Sequence, residues 1–238
     1  MKSNNMLKRN YYILTLAGLL LATFLYGQEL KPDNQSYEKI RGCRFIPYPN
    51  HPGYPFLNDK FLKGEIEFND GTRLKDIVMN YGTYRDELIY YNSSISVQIV
   101  IDKISLKGFS FIDTKGNKRV FHRQFFNGSI KDDCYFEVLS EGDIELLVYR
   151  KVSLEASNTY YSKTGMSYQP SYMYCLYAPE RGYIPLNISR ASLLSKFSKA
   201  DQKFIKKTLR KNGVIISDEL SFVRAWNVIR ENGLQPVF

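Results

Sequence analysis

Two glutamates, Glu137 and Glu145, have the spacing that best suits acid–base chemistry in this chain. They flank the turn Ser140-Glu141-Gly142, and a three-residue turn would place them directly opposite each other on one sheet face. Two carboxylates about 5 Å apart acquire separated pKa values, which a glycan hydrolase uses. The alternative is two solvated glutamates close to cations such as Lys151. The first arrangement predicts a hydrolase acting on envelope glycan, and the second predicts no catalytic role.

The chain contains only two histidines, which limits histidine-based catalysis and metal binding. His51 lies in a proline-rich stretch and His122 in a strand-like run, and no cluster of carboxylates accompanies either residue. The sequence therefore offers no triad and no metal-ligand motif. It contains no glycine-rich phosphate loop either. We expect neither a metal nor a cofactor.

Three cysteines, Cys43, Cys134 and Cys175, are an odd number for an oxidising compartment. Cys134 and Cys175 both fall in apolar, strand-like runs. The pattern allows a disulfide between these two residues, and it equally allows three buried thiols.

The N-terminus has the three-part pattern of a secretory signal peptide, residues 1–27. A positive start precedes an apolar run of about 16 residues from Tyr11 to Tyr26, and Gly27 supplies a small residue for cleavage. An uncleaved anchor is the alternative, but a spanning helix needs roughly 20 apolar residues. We expect an exported bacterial protein, periplasmic or secreted, that is cleaved near Gly27 and has no transmembrane span in the mature chain.

After the signal, residues 28–57 are predicted to form a proline-rich lead-in. The pattern of residues 58–188 predicts short antiparallel strands. The turn Asn69-Asp70-Gly71 predicts a hairpin with a three-residue loop, which sets Glu67 opposite Arg73 and Ile66 opposite Leu74. The same register sets Glu65 opposite Lys75. Short, regularly spaced strands indicate an antiparallel barrel or sandwich.

Residues 189–238 change to a helical period. Ser198 with Asp201 predicts a helix N-terminus, and Gly213 predicts where that helix ends. A second helix follows Ser217, with four residues predicted to point inward: Leu220, Val223, Trp226 and Ile229. The predicted architecture is a mainly β body with two or three C-terminal α-helices packed on it.

The positive charge is concentrated in these helices. Residues 190–238 contain 10 basic and 4 acidic side chains, whereas residues 28–189 contain 20 of each. The cations of the first long helix form a basic face: Lys199, Lys203, Lys206, Lys207, Arg210 and Lys211. Such a face is either solvated or docked on anionic lipid or polysaccharide. We expect no exposed apolar anchor there, because Ala200, Phe204, Ile205 and Leu209 form the inner stripe. For an exported protein, envelope partners are expected and nucleic acid is not.

Tyrosines cluster near the end of the β region. Aromatic side chains are enriched at interfaces, so the cluster indicates a recognition surface; the alternative is ordinary strand residues beside a loop. The candidates are Tyr160, Tyr161, Tyr168, Tyr172 and Tyr174. The leading hypothesis is a non-catalytic envelope or secreted protein that binds a partner or ligand. A carrier of small molecules or lipid, with a β cavity and a helical lid, is the alternative beside the hydrolase.

Three stretches carry a resemblance to a known group: Pro55-Phe56-Leu57-Asn58-Asp59, the run from Asn80 to Leu88, and the run from Tyr135 to Gly142. They resemble an uncharacterised group of exported, β-rich proteins of Gram-negative bacteria of the Bacteroidetes type. The resemblance covers most of the mature chain and implies an envelope or secreted location. It implies no activity and no functional residues.

Overall fold

The structure is a computed structural model that describes residues 39–127, 131–156 and 165–237. The predicted signal peptide and the lead-in up to residue 38 lie outside the described residues. The rest of the lead-in, residues 39–57, is described and includes most of the lead-in's prolines.

Within the described ranges, alternating apolar and polar residues form eleven strands. Their bounds are β1 Gly42–Arg44, β2 Leu62–Phe68, β3 Arg73–Gly82, β4 Glu87–Asn92, β5 Val97–Ile101, β6 Leu106–Ile112, β7 Lys118–Asn127, β8 Lys131–Ser140, β9 Glu145–Ala156, β10 Met166–Ala178 and β11 Gly182–Leu186. A short 3₁₀ turn, Lys103–Ser105, precedes β6.

The strands make one antiparallel sheet in the order β1-β5-β4-β3-β2-β6-β7-β8-β9-β10-β11. Most neighbours in the sheet are also neighbours in sequence, which is typical of a chain built from hairpins. The sheet is not closed into a barrel, because β1 and β11 are its edges. The predicted fold class, mainly antiparallel β with C-terminal helices, is confirmed.

The β2–β3 hairpin shows how far local sequence sets the register. Glu67 pairs with Arg73 and Ile66 with Leu74, and Gly71 has the left-handed backbone expected of that loop position. Glu65 does not form a simple pair with Lys75, because a bulge between Gly64 and Ile66 sets both Lys75 and Asp76 opposite Glu65.

The turn between β3 and β4 lies where β8 and β9 separate. These two strands pair between Phe136–Ser140 and Leu146–Tyr149 and then diverge. The amide of Val152 on β9 donates to the carbonyl of Thr83 at 3.2 Å, and the amide of Tyr135 on β8 lies 3.4 Å from both carboxylate oxygens of Asp86. The turn therefore joins two strands that no longer pair with each other.

Asp86 holds this turn through three partners, one of which is the amide of Tyr135. The hydroxyl of Tyr81 donates to its carboxylate at 2.5 Å, and the ammonium of Lys103 donates at 2.7 Å. Asp86 also has a left-handed φ of 56°, a strained conformation for a residue with a side chain. Burial raises the pKa of Asp86, and the nearby Lys103 limits that rise.

Aromatic rings fill the space enclosed by β3, β6, β7 and β8. The ring centroids of Phe109 and Phe121 lie 4.6 Å apart, and those of Tyr81 and Phe121 lie 5.3 Å apart. Tyr135 packs edge-on against Phe109. All four side chains are almost completely inaccessible to solvent. Close packing of this kind fixes the curvature of the sheet.

Three helices follow the sheet: α1 Arg190–Leu194, α2 Lys199–Lys211 and α3 Glu219–Glu231. The Ser198 side chain accepts from the amide of Asp201 at 3.1 Å, which confirms the predicted cap of α2. Asp218 caps α3 in the same way. Gly213 and Gly233 follow the helix ends with left-handed backbones.

The helices cover one face of β9, β10 and β11. Trp226 and Ile229 of α3 and Ile205 of α2 pack there with strand residues such as Val148 and Leu176. The predicted inward positions of Trp226 and Ile229 are therefore confirmed.

Three other inward predictions are wrong. Ala200 and Phe204 of α2 are exposed, and Leu220 of α3 is 82% exposed. The contact stripe of α2 is narrower than its apolar residues suggest, because α2 touches its neighbours mainly through Ile205 and Leu209. No helix in the described ranges combines the length and the apolar character needed to cross a bilayer.

Candidate functional site

An aromatic cleft lies between the proline-rich segment, residues 45–57, and the first half of β10. Tyr54 and Phe56 belong to the proline-rich segment, and Tyr168 and Tyr172 belong to β10. The cleft has a volume of about 310 Å³. The Tyr54 side chain is 74% exposed and that of Tyr172 is 45% exposed, so both present large apolar surfaces to solvent. We call this feature the aromatic cleft.

Tyr168 attaches the proline-rich segment to the sheet. Its amide donates to the carbonyl of Pro52 at 2.8 Å, and its hydroxyl donates to the carbonyl of Pro49 at 2.7 Å. A β-carbon on Gly53 would lie 2.5 Å from the Tyr168 carbonyl oxygen, so only glycine fits there. Because proline has no amide hydrogen, its carbonyl is the only backbone group through which Tyr168 can hydrogen-bond to it.

The β3–β4 turn attaches the end of the same segment. The hydroxyl of Thr83 and the amide of Tyr84 both donate to the carbonyl of Pro55, at 2.9 and 3.1 Å. Tyr84 also packs edge-on against Tyr168, with 5.2 Å between ring centroids. One wall of the cleft is thus the proline-rich segment, whose carbonyls accept hydrogen bonds from Tyr168, Thr83 and Tyr84.

The other wall is a sheet edge that β11 does not reach. Pairing between β10 and β11 begins at Tyr174 and Leu186, so β11 leaves the preceding residues of β10 uncovered. The Tyr168 amide points to this outer side, and backbone groups of an antiparallel strand alternate in direction. Pro170 and Tyr172 therefore also direct their backbone groups outward. Pro170 suits this edge, since its missing amide hydrogen faces away from β9.

A buried chain of charged side chains lies behind Tyr172. The guanidinium of Arg150 stacks on the Tyr172 ring at 5.0 Å from its centroid. Arg150 also donates to Glu137 at 2.6 Å and forms two bonds of 2.7 Å with Glu219 of α3. Arg119 of β7 donates twice to Glu137, at 2.6 and 2.7 Å. Tyr172 therefore rests on a cation that two carboxylates, those of Glu137 and Glu219, hold in place.

Two residues of this chain, Glu219 and Arg150, have pKa values shifted toward their charged forms. Burial alone would raise the pKa of Glu219, but the hydrogen bonds and the charge of Arg150, together with the hydrogen bond from Tyr174, outweigh burial and lower it. Burial opposes the charge on Arg150, and Glu219 and Glu137 together still raise its pKa. The Tyr174 hydroxyl donates to Glu219 at 2.8 Å, and burial raises the pKa of Tyr174. These residues link β7, β8, β9, β10 and α3 into one rigid support.

The predicted carboxylate pair is wrong. The strand register sets Glu137 opposite Val148, and a bulge between Val138 and Ser140 places Leu146 opposite Ser140. Glu145 pairs instead with Tyr177, on the other face of the sheet. The carboxylate of Glu137 accepts hydrogen bonds from two arginines, Arg119 and Arg150. Burial raises the pKa of Glu145. The two glutamates do not share a site.

The predicted tyrosines have different positions. Tyr168 and Tyr172 line the aromatic cleft, although Tyr168 is buried and only Tyr172 is exposed. Tyr174 is buried beneath α3 and bonded to Glu219. Tyr160 and Tyr161 lie outside the described residues. β10 begins at Met166, so Tyr168, Tyr172 and Tyr174 are all strand residues.

Cysteines and cations complete the predicted set. Cys134 and Cys175 are buried thiols and Cys43 is an exposed thiol, so the structure contains neither the disulfide nor three buried thiols. Burial raises the pKa of Cys175 to about 12. Over the described ranges no group of His, Cys, Asp or Glu side chains is arranged to hold a metal ion. The basic face of α2 is solvent-exposed at all six predicted positions, which are Lys199, Lys203, Lys206, Lys207, Arg210 and Lys211.

Sequence reasoning missed Tyr54, Phe56, Arg150 and Glu219. In the sequence Tyr54 lies between Pro52 and Pro55, and Phe56 follows Pro55, a composition that suits an ordered, extended segment. Arg150 and Glu219 are 69 positions apart, and no local pattern connects them. No family model, curated protein or solved structure matches the chain.

Proposed function

We propose that this chain is an exported, non-catalytic binding protein that holds an extended peptide segment of a partner protein in its aromatic cleft. The observation that carries the proposal is the pair of exposed rings, Tyr54 and Tyr172, on two walls of one cleft. Large, partly exposed aromatic side chains on a rigid support are typical of interaction hot spots.

A peptide suits this cleft for two reasons. The uncovered edge of β10 offers the outward amide and carbonyl of Tyr172, which an added strand can pair with. The neighbouring Tyr168 already binds the carbonyls of Pro49 and Pro52 in the same chain. Extended proline-containing segments dock in aromatic-lined grooves at low entropic cost. The cleft therefore continues a mode of recognition that the protein uses on itself.

The support behind Tyr172 contributes affinity by limiting motion. Arg150 is held by Glu137 and Glu219 and stacks on the ring, so the ring loses little freedom when a ligand covers it. Binding sites organised in advance avoid part of the entropy cost of association.

The interior of the sheet favours surface recognition over the carrier hypothesis. Phe121 and Tyr135 fill one face of the described strands, Phe136 packs on the opposite face with Leu147 and Tyr149, and all five are almost completely buried. The helices cover the β9–β11 end of the sheet through Trp226 and its neighbours. Export to the envelope or beyond is part of the proposal and is supported by the N-terminal sequence pattern.

The test is a peptide array followed by measurement of dissociation constants. Extended peptides of eight residues containing proline and aromatic side chains are probed with the protein, and the best binder is measured by fluorescence polarisation. Tyr172→Ala and Tyr54→Ala should each weaken binding by roughly 30-fold, the effect of losing a hot spot of about 2 kcal/mol. Phe125→Ala is the matched control, because Phe125 is 63% exposed and lies outside the cleft.

Thermal unfolding of each variant separates lost binding from lost folding. Equal affinity of all variants for the peptide would overturn the proposal, because the cleft would then not be the site. Envelope-glycan oligosaccharides serve as a second ligand set. Binding of those oligosaccharides with no peptide binding would also overturn it.

A further inference from the structure

The connection between α2 and α3, residues 212–218, forms an apolar tip on the helical pair. Ile215 is 82% exposed, and so is Leu220 in the first turn of α3. Val214 and Ile216, on either side of Ile215, pack against the core, so the chain directs Ile215 outward and its neighbours inward. Because α2 and α3 are consecutive helices that meet at this connection, Ile215 and Leu220 lie at the same end of the pair.

Cations surround this tip. Lys207, Arg210 and Lys211 are exposed at the end of α2, and Arg224 of α3 reaches the carbonyl of Asn212. Two acids are also near. Asp218 caps α3 by accepting from the amide of Ser221 at 2.8 Å, and Glu219 is bonded to Arg150 beneath the helix. The exposed charge at the tip is therefore mainly positive.

We infer that this tip docks the protein on an anionic lipid bilayer, with Ile215 and Leu220 in the interface and the cations of α2 on the headgroups. Interfacial binding requires buried apolar area together with attraction to anionic lipid, and the tip supplies both. The charge complementarity selects a lipid surface with negative headgroups over an uncharged one. Phe204, which is 48% exposed on α2, extends the apolar surface between the cations. This surface is separate from the aromatic cleft and independent of the function proposed for it.

The experiment places a tryptophan at the tip and follows its fluorescence. Trp226 is the single native tryptophan and is buried, so it gives a constant background. The full chain carrying Leu220→Trp is mixed with vesicles of phosphatidylglycerol and phosphatidylcholine in equal parts, and with vesicles of phosphatidylcholine alone. We expect a blue shift, and quenching by lipids brominated on their acyl chains, with the anionic vesicles only. Ile215→Trp is the second variant, in case Leu220→Trp impairs folding.

Ile104→Trp is the matched control, because Ile104 is 72% exposed on the 3₁₀ turn before β6. It reports whether any other part of the chain, including the apolar N-terminal run, brings the whole molecule to the vesicle. Only the tip variants should be quenched. Replacing Lys207 and Lys211 by alanine in the Leu220→Trp protein should weaken binding to anionic vesicles by roughly 30-fold.

Three results would overturn the inference. Equal quenching of the Ile104→Trp protein would show that the tip is not the contact. A blue shift that needs no vesicles and grows with protein concentration would show that a second copy covers the tip. Binding to dextran sulfate combined with an unshifted Leu220→Trp spectrum on anionic vesicles would show that the basic face recognises polyanions and not a bilayer.

Discussion

Replacing Glu137 by glutamine should strongly destabilise the folded protein. Its side chain is 6% exposed and accepts hydrogen bonds from Arg119 and Arg150, which are 18% and 8% exposed. Glutamine keeps the shape and removes the charge, so two buried guanidinium groups lose their shared counter-ion. Breaking a buried ion pair in this way costs about 3–5 kcal/mol. Arg150 keeps its two bonds to Glu219, which places the expected loss at the lower end, about 3 kcal/mol.

Urea unfolding followed by circular dichroism measures this loss. With a slope of about 2–3 kcal/mol per molar urea, the midpoint should fall by about 1 M or more. Glu145→Gln is the matched control, because Glu145 lies on the other face and burial already disfavours its charged form. That control should change the stability by less than about 0.5 kcal/mol.

A double-mutant cycle tests the cause. The loss from Glu137→Gln should shrink when Arg119 is already methionine, because the two residues act through one contact. Strict additivity, or a loss from Glu137→Gln no larger than that of the Glu145→Gln control, would refute the role given to this chain of charged residues.

Three further outcomes follow from the fold. Contacts with Arg150 and Tyr174 lower the pKa of Glu219, so ionised Glu219 stabilises the fold above its ordinary pKa of 4.5. This stabilisation is lost as the pH falls through the lower pKa of the folded state. Glu219→Gln should therefore reduce the free energy of unfolding at pH 7 and make it depend less on pH in acid. A stability curve whose acid limb is unchanged by Glu219→Gln would contradict this. Ser198→Ala should lower the free energy of unfolding, measured in urea, by about 1 kcal/mol, because the amide of Asp201 loses its capping partner. A change near zero would show that the cap does not stabilise the protein. Ellman's reagent should label Cys43 alone in the native protein and all three cysteines in denaturant, since Cys134 and Cys175 are buried thiols; a need for reductant before the last two react would reveal a disulfide.

The sequence predicted features that depend on neighbouring residues. The β2–β3 loop follows from Gly71 and the charges of Glu67 and Arg73, which are six positions apart. The cap at Ser198 follows from a side chain and an amide three positions away. Such features need only turn chemistry and helix geometry, and both are written locally in the chain.

The candidate site was harder to predict, because its contacts are long-range. Tyr168 binds Pro49 across 119 positions, and this contact makes it a buried anchor where the sequence predicted a recognition residue. The predicted pairing of Glu137 with Glu145 was wrong because a bulge shifts the β8–β9 register between Val138 and Ser140. Ile144, Leu146, Leu147 and Val148 are apolar on both faces, so alternation alone could not detect the shift.

The prediction of which α2 residues point inward was wrong for a different reason. Phe204 has the spacing of an inner residue, but α2 contacts its neighbours along a narrow stripe that includes Ile205 and Leu209. How much of an apolar stripe is covered depends on the partner surface, which periodicity does not contain.

Amide hydrogen exchange at Tyr172, with and without the best-binding peptide, tests the central claim most directly. If a peptide pairs with the open edge of β10, the outward Tyr172 amide should exchange up to about 100-fold more slowly at a peptide concentration of about 100 times the dissociation constant. Amides on α2 should be unaffected. Unchanged exchange at Tyr172, with protection appearing on another surface, would contradict recognition in the aromatic cleft.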